Sequence, residues 1–254
     1  MNDWIDELGQ LLSSVRLELS SAPDGFVVGY EKERHPVRSL PLDGLDEGAR
    51  RAELLAVAAG FDAAIKSPAE LQPGESFVAA APALFPKLER KRFILAYNAV
   101  VDGRGGDDAE KLIFTDFGAD LVTCYVQDEQ WRVRYVTEAQ RKGWDVSVGT
   151  VDSAARSHLY ARAELYDDDQ VVNVGDYFDA ARVTIVGDRY FQRDRGHGIV
   201  CAVPDRDTLL VGPEAATDED VRRRYEASSY PICPYVLRFQ RGTVERHGPS
   251  VPQR

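Results

Sequence analysis

Cysteine and methionine are scarce in this sequence of 254 residues, which contains three of the first and one of the second. Cys124, Cys201 and Cys233 are widely spaced and set among apolar or aromatic neighbours, and no Cys-x-x-Cys pair is present. An odd number of cysteines at such spacing argues against a disulfide framework and against a cysteine-rich zinc module. It predicts three buried free thiols in a reducing compartment.

Long apolar runs are also absent. No segment approaches the ~20 apolar residues that a membrane-spanning helix needs. The N-terminal sequence MNDWIDELGQLLSS carries acids where a secretion signal needs a basic segment followed by an uninterrupted apolar one. We therefore predict a cytoplasmic protein with no membrane partner.

Positive charge is in deficit along the chain. The sequence has 42 aspartates and glutamates against 31 lysines and arginines, so its net charge is −11. Affinity for nucleic acid depends on clustered basic side chains that replace the counterions of the phosphate backbone. The acidic balance therefore predicts that no nucleic acid is a partner.

The common catalytic and cofactor motifs are missing. The sequence has no Walker A loop, no Rossmann glycine fingerprint, no Gly-x-Ser-x-Gly elbow, no His-Glu-x-x-His motif and no EF-hand loop. His35, His158, His197 and His247 are scattered, without the short spacings that metal ligands on one element show. We predict no metal and no cofactor, and the missing motifs lower the expectation of an enzyme.

The periodicity that is present predicts an α+β protein with antiparallel or mixed sheets. In residues 1–101, an amphipathic helix beginning near Trp4 precedes three strands and a second amphipathic helix over 46–66. The three predicted strands are 15–19, 26–31 and 37–42. The capping pattern of a further helix occupies 67–70. This order of elements resembles that of small secretion chaperones, a likeness of fold alone.

The Gly- and Asp-rich stretch DGRGGDDA at 102–109 predicts a loop or linker between two halves of similar size. The second half, 110–254, is predicted to mix strands with two helices. The predicted strands are 111–114, 121–126, 131–136, 171–174, 183–186, 199–203, 208–211 and 235–240. One helix is predicted over 148–166 and another from Asp218, with Thr217 as its N-cap. The tail after 240 is expected to fray.

Two charged turns hold most of the candidate site residues. One is the turn Pro204-Asp205-Arg206-Asp207, between two predicted antiparallel strands. The other contains Asp176, Asp179 and Arg182, just before an apolar run. In each turn an acid can orient an arginine for an anionic ligand, or the charged groups can satisfy the turn and one another. We favour the structural interpretation for both.

Aromatic residues concentrate on the central predicted hairpin and just after it. Tyr125, Trp131, Tyr135 and Trp144 lie in this region. They can line a pocket or an edge that accepts a partner strand, or they can simply build the core. Tyr125 is therefore a candidate binding residue.

Four segments, LFPKL, FGADLVTCYVQDEQWRVRYVT, GDYFDAARVTI and IVCAVPDRDTLLV, occur in an order and separation that resemble the YtpQ-like bacterial family, a domain of unknown function. The family pattern has an aromatic-Pro pair, an acidic turn before an Arg-Tyr-Val strand, a Tyr-Asp-Ala-Ser-Arg segment and a Pro-Asn-Arg-Asp turn. These features fall on 85–86, 128–136, 178–182 and 204–207. Ala181 stands where serine is usual and Asp205 where asparagine is usual.

The resemblance implies a soluble bacterial protein. It adds Arg134, on the matched Arg-Tyr-Val strand, to the candidate residues and gives weight to Arg182, Arg206 and Asp207. The family has no established activity to transfer, and Ala181 offers no hydroxyl for chemistry at its position.

Two functions are compatible with these observations. We favour a nonenzymatic, accessory or chaperone-like module that binds another protein or a peptide, because catalytic motifs are missing and the aromatic strands offer a groove or an edge. The alternative is a hydrolase or transferase of unrecognised type. In it, Asp179, Asp205 or Asp207 acts as metal ligand or general base, while Arg182 or Arg206 holds an anionic substrate. Convergence of these side chains on one cavity is the observation that separates the two.

Overall fold

A computed structural model describes residues 2–42, 50–66, 75–129, 132–162, 175–190, 199–212, 217–240 and 243–247. Within these residues the chain forms an α+β fold with three antiparallel sheets, as the sequence predicts. The helices are α1 (Asn2–Ser14), α2 (Arg50–Lys66), α3 (Phe77–Ala80), α4 (Lys91–Gly103), α5 (Glu138–Gly143), α6 (Val148–Arg162), α7 (Val183–Tyr190) and α8 (Asp218–Ala227). The strands are β1 (Glu18–Ala22), β2 (Gly25–Tyr30), β3 (Glu33–Val37), β4 (Leu84–Arg90), β5 (Phe114–Gly118), β6 (Leu121–Glu129), β7 (Arg132–Tyr135), β8 (Ile199–Ala202), β9 (Leu210–Val211), β10 (Val236–Gln240) and β11 (Thr243–Arg246). No helix in the described ranges has the length and apolarity needed to cross a bilayer.

The predicted order of helix, three strands and helix is present as α1, the antiparallel meander β1–β2–β3, and α2. The third strand runs from Glu33 to Val37 and shares only Val37 with the predicted range 37–42, because Glu31 adopts a φ of 51° and closes a tight turn that pairs Tyr30 with Glu33. Leu8 and Leu12 of α1 pack with α2 and α4 in one core. The capping pattern at 67–70 lies outside the described residues.

The central sheet is built around β6. β4 pairs with β6 along seven residues, from Leu84 opposite Gln127 to Arg90 opposite Leu121. β5 and β7 pair with the other side of β6 at its two ends. Helices cover both faces, since Val122 joins the core of α1, α2 and α4 while Tyr125 packs with α6. A strand from 1–101 and a strand from 110–254 thus belong to one sheet.

Helix α4 and strand β4 are absent from the sequence prediction. α4 ends at Gly103, inside the predicted loop 102–109, and a short 3-10 helix follows over Asp108–Glu110. The loop is therefore shorter than predicted, while a domain boundary at this point stays a prediction.

The predicted strand at 183–186 is wrong, because these residues begin helix α7. The Val-Thr-Ile-Val run has high strand propensity. Its helical period, however, directs Val183 and Val186 to the core beneath the C-terminal sheet and Ile185 to a second cluster around Phe85. Burial on both sides outweighs local propensity.

The C-terminal sheet has the order β11-β10-β8-β9. Helix α8 begins at Asp218 with Thr217 as N-cap, as predicted. The expectation that the tail frays is wrong for Thr243–Arg246, which pair with β10 as β11. Arg246 holds this strand, because its guanidinium contacts Asp120 at 2.5 Å and covers the ring of Tyr235. The predicted strand at 171–174 lies outside the described residues.

Candidate functional site

The turn at 204–207 joins antiparallel strands, as predicted, although β9 is shorter than 208–211. Asp205 caps the turn by accepting the Asp207 N–H at 2.9 Å. Arg206 pairs with Asp207 through its Nε at 3.1 Å. Neighbouring loops hold the turn from both sides, because the Arg206 N–H donates to the Tyr230 carbonyl and the Arg206 carbonyl accepts from the Ala180 N–H.

The Arg206 guanidinium lies against two exposed aromatic rings. Its Cζ is 4.6 Å from the centroid of Tyr177 and 4.0 Å from that of Tyr230. These tyrosines are 62% and 58% exposed. Tyr177 has a φ of 69°, a left-handed conformation that is strained for a bulky residue. The fold therefore presents an arginine and two tyrosines together at the surface.

Asp179 and Arg182 form a buried ion cluster with Asp176. Arg182 is 1% exposed, binds both oxygens of Asp176 at 3.0 and 2.7 Å, and also contacts Asp179. Asp179 accepts the Gly175 N–H at 2.7 Å. Burial alone would raise the pKa of Asp176, but hydrogen bonds from Arg182 and from the Phe178 N–H, together with the Arg182 charge, lower it. The two terminal nitrogens of Arg182 are thus paired with Asp176 and Asp179 inside the protein.

A cavity of about 570 Å³ lies between α2 and strand β4, and we call it the α2–β4 cavity. The end of α1, part of β7, the Arg206 turn and the segment 229–232 complete its wall. Of the candidate site residues, Arg206 and Arg134 line it, and so does Tyr135 from the aromatic group. Asp179, Arg182, Asp207 and Tyr125 do not, so the charged residues of the two turns do not converge here.

Inside the cavity, Lys87, Glu89 and Tyr135 form a hydrogen-bonded cluster. The Lys87 ammonium donates to the Tyr135 hydroxyl at 2.5 Å and lies 2.8 Å from Glu89 Oε1. The Tyr135 hydroxyl donates to the same Oε1 at 2.9 Å. Burial, reinforced by the negative charge of Glu89, raises the pKa of Tyr135 well above its ordinary value. The tyrosine therefore stays a neutral hydrogen-bonding group.

Sequence reasoning missed Lys87 and Glu89. Both lie on β4, where Pro86 argues against a central strand. The structure resolves this because β4 is the last strand on its side of the sheet, and proline is tolerated on edge strands. The alternation of Phe85, Lys87 and Glu89 was the available signal that one strand face carries them.

Tyr125 and Arg134 direct their functional groups elsewhere. The buried Tyr125 hydroxyl lies 2.9 Å from both Thr115 Oγ1 and Asp152 Oδ1, and burial raises its pKa. Along β7, side chains alternate between faces, so Arg134 points away from the face of Tyr135, and its guanidinium pairs with Glu129. Arg134 reaches the α2–β4 cavity as part of its β7 wall.

The three cysteines are buried and free. In the part of the chain that the structure describes, no three histidine, cysteine or acidic side chains are grouped as metal ligands would be. Comparison with protein-family models, with curated proteins and with solved structures found no match to this chain. The resemblance to the YtpQ-like family stays a prediction.

Proposed function

We propose that this protein is a nonenzymatic accessory module that binds a segment of another polypeptide in the α2–β4 cavity. The observation that carries the proposal is this cavity of about 570 Å³, with Arg206 and Tyr230 in its wall. Binding pockets commonly have volumes of roughly 300–1,000 Å³ and combine apolar walls with a few placed polar groups. The cavity has both properties, since Leu11, Val15 and Phe93 line it together with Lys87 and Glu89.

The rim of the cavity has the composition of a protein-binding hot spot. Tyrosine and arginine are enriched where partner chains bury their anchors, because both combine a large apolar surface with directed hydrogen bonds. Tyr230 and Arg206 provide this combination, and Val133 adds an exposed apolar side chain from β7. Tyr177 lies next to this rim, since its ring centroid is 4.6 Å from Arg206 Cζ.

The alternative, a hydrolase or transferase that uses the acids of the two turns, has less support. Asp179 is fully buried against Arg182, and Asp205 is engaged in capping its own turn. Asp207 pairs with Arg206 and does not line the α2–β4 cavity. A general base needs access to a substrate proton. None of these three acids lines the cavity in which Arg206 would hold a substrate.

The proposed partner is a protein or peptide and not a nucleic acid or a membrane. The chain carries a net charge of −11, which disfavours a phosphate backbone or an anionic lipid surface. We place the module in the cytoplasm, in keeping with three thiols that are free and buried.

A displayed library of random peptides, selected on the immobilised full-length protein, tests the proposal. Selected peptides are synthesised, and their binding is measured by fluorescence anisotropy to the wild-type protein and to Tyr230→Ala. Arg223→Ala is the matched control, since Arg223 forms an exposed ion pair with Asp220 on α8, outside the cavity wall. We expect Tyr230→Ala to weaken binding by about tenfold or more and Arg223→Ala to leave it unchanged. Failure to enrich any peptide, or equal binding by Tyr230→Ala, would contradict the proposal.

A further inference from the structure

We infer that the segment held in the α2–β4 cavity is uncharged and apolar and that it presents an amide group to Lys87 and Glu89. The inference rests on the proposed function and specifies the chemistry of the occupant. The observation that carries it concerns the Lys87–Tyr135–Glu89 cluster: after these residues have contacted one another, some of their hydrogen-bonding groups still have no partner among the described residues.

An ammonium group has three N–H donors and no acceptor. Lys87 donates to the Tyr135 hydroxyl and lies 2.8 Å from Glu89 Oε1, so even when this ion pair takes a second N–H, one donor is left. Both contacts of the Glu89 carboxylate fall on Oε1, and Oε2 has no hydrogen-bond partner among the residues that the structure describes. Tyr135 uses its single proton on Glu89. The cluster therefore offers one donor and one acceptor.

Both groups face the cavity while they remain largely enclosed. The side chains of Lys87 and Glu89 are 25% and 18% exposed, and both residues line the α2–β4 cavity. An occupant that excludes water from the two groups must pair with both of them, because a polar group that is left unpaired on burial costs free energy. An occupant that satisfies the donor and the acceptor together avoids this cost.

The charges of the pair select against a charged occupant, because the other charged residues of the wall have ion-pair partners of their own: Arg90 with Glu53, Arg134 with Glu129, Arg206 with Asp207 and Asp62 with Lys66. One ammonium and one carboxylate 2.8 Å apart sum to zero. A carboxylate on the occupant would be attracted by Lys87 but repelled by Glu89. An ammonium would be attracted by Glu89 but repelled by Lys87. An amide carries a carbonyl acceptor for Lys87 and an N–H donor for Glu89 with no net charge. Peptide bonds and the side chains of asparagine and glutamine provide this group.

The opposite wall admits a polypeptide backbone. Ala56, Ala59 and Ala63 recur at helical spacing along α2 and line the cavity. Small side chains on one helix face let another chain approach closely, while Phe93 and Val133 supply apolar contacts around the polar pair. An extended, uncharged segment of a partner protein fits this combination.

Three probes with the same six-carbon body and different head groups test the inference: hexanamide, hexanoate and hexylammonium. Each is titrated into the full-length ¹⁵N-labelled protein, and the dissociation constant is taken from the chemical shifts of α2, β4 and β7. We expect the wild-type protein to bind hexanamide at least about tenfold more tightly than either charged probe. A preference for hexanoate or hexylammonium, or no binding of hexanamide, overturns the inference.

Two variants test the role of charge, because each removes one of the two opposite charges of Lys87 and Glu89. Glu89→Gln leaves the Lys87 charge uncompensated and is expected to make hexanoate the preferred probe. Lys87→Met leaves the Glu89 charge and is expected to make hexylammonium the preferred probe. Lys142→Met, a highly exposed lysine on α5 outside the cavity wall, should keep the wild-type order. An unchanged order in both cavity variants overturns the inference, and if a variant fails to fold, the wild-type ranking decides alone.

Failure of this inference is distinguishable from failure of the proposed function. If library peptides bind and depend on Tyr230 while the probes show no preference for the amide, the proposed function stands and the assigned chemistry is wrong. If hexanamide binds preferentially but no peptide is enriched, the cavity recognises amides and the polypeptide partner is wrong.

Discussion

The guanidinium carbon of Arg206 lies 4.0 Å from the ring centroid of Tyr230, and its Nε contacts Asp207 at 3.1 Å. One side chain is thus held by a ring and by a carboxylate at the rim of the α2–β4 cavity. Neither contact is deeply buried, because Tyr230 is largely exposed and Asp207 is half-exposed. The contribution of Arg206 to folding stability can therefore be measured separately from its contribution to peptide binding.

We predict that Arg206→Ala lowers the free energy of unfolding by about 1–2 kcal/mol, since a partly exposed ion pair and surface cation–π contacts each contribute about 1 kcal/mol or less. The same change should weaken binding of the selected peptides by about tenfold or more. Urea denaturation measures the first quantity and fluorescence anisotropy the second. A loss of several kcal/mol with unchanged peptide binding would show that the arginine is structural.

Arg182 should behave in the opposite way. Arg182→Met removes the buried cation that pairs with the fully buried Asp179, and breaking a buried ion pair by removing one partner typically costs about 3–5 kcal/mol. We expect a loss of this size in urea denaturation. Arg223→Met, which breaks an exposed pair on α8, is the control and should cost about 1 kcal/mol or less. A small loss for Arg182→Met would mean that the cluster contributes little to the fold.

The acid dependence of stability should report the same cluster. The folded pKa of Asp176 lies below its ordinary value of 3.8, so its ionised form stabilises the fold above that pH. This contribution is lost as the pH falls through the lowered pKa, because Asp176 is then protonated in the folded and in the unfolded state. Removing Arg182 removes the main cause of the lowering. The stability difference between wild type and Arg182→Met should therefore be largest above about pH 4 and narrow below it, and an equal difference at pH 3 and pH 6 would contradict the assignment.

The sequence predicts local features of this molecule better than its long-range pairing. The N-cap Thr217 and the Asp205 turn follow from short-range hydrogen bonding, and both are present. The β-branched residues that open helix α7 predict a strand, but they are buried on two sides, which only tertiary structure reveals. Strand β4 is absent from the prediction; Pro86 is compatible with it because β4 lies at a sheet edge, and edge position is a property of the whole sheet.

In the candidate site too, local contacts could be predicted from the sequence and long-range contacts could not. Arg206 and its pairing with Asp207 follow from the turn sequence. The stacking of Tyr177 and Tyr230 on Arg206 joins residues from three separated segments, and no periodicity connects them. Lys87 and Tyr135 are likewise brought together by strands that pair on opposite sides of β6.

The three cysteines should be unreactive in the folded protein. Cys124, Cys201 and Cys233 are buried, and burial raises the pKa of each thiol, so little thiolate is present at neutral pH. We expect slow alkylation by iodoacetamide under native conditions. In denaturant without reductant, mass spectrometry should show three labels. Two missing labels would reveal a disulfide, and fast native labelling would show that a thiol is accessible.

Gly60 marks a close approach of α2 to α4, the helix that carries Phe93 into the cavity wall. A Cβ added at Gly60 would lie 2.4 Å from the Phe93 carbonyl oxygen and 2.8 Å from the Ala96 Cβ. Helix propensity alone favours alanine over glycine by about 1 kcal/mol, but overpacking typically costs about 1–3 kcal/mol. Because the backbone of α4 cannot give way without moving its neighbours, we predict that Gly60→Ala destabilises the protein.

Gly9→Ala is the matched control for this prediction. Gly9 also lies within a helix, α1, but an added Cβ there would meet nothing within 4 Å. Only the propensity term then acts, so Gly9→Ala should stabilise the protein by about 0.5–1 kcal/mol. Urea denaturation of both variants measures the two changes under one set of conditions. Opposite signs show that helix contact and not propensity governs position 60, whereas stabilisation by both variants would mean that α2 and α4 are packed less closely than this geometry requires.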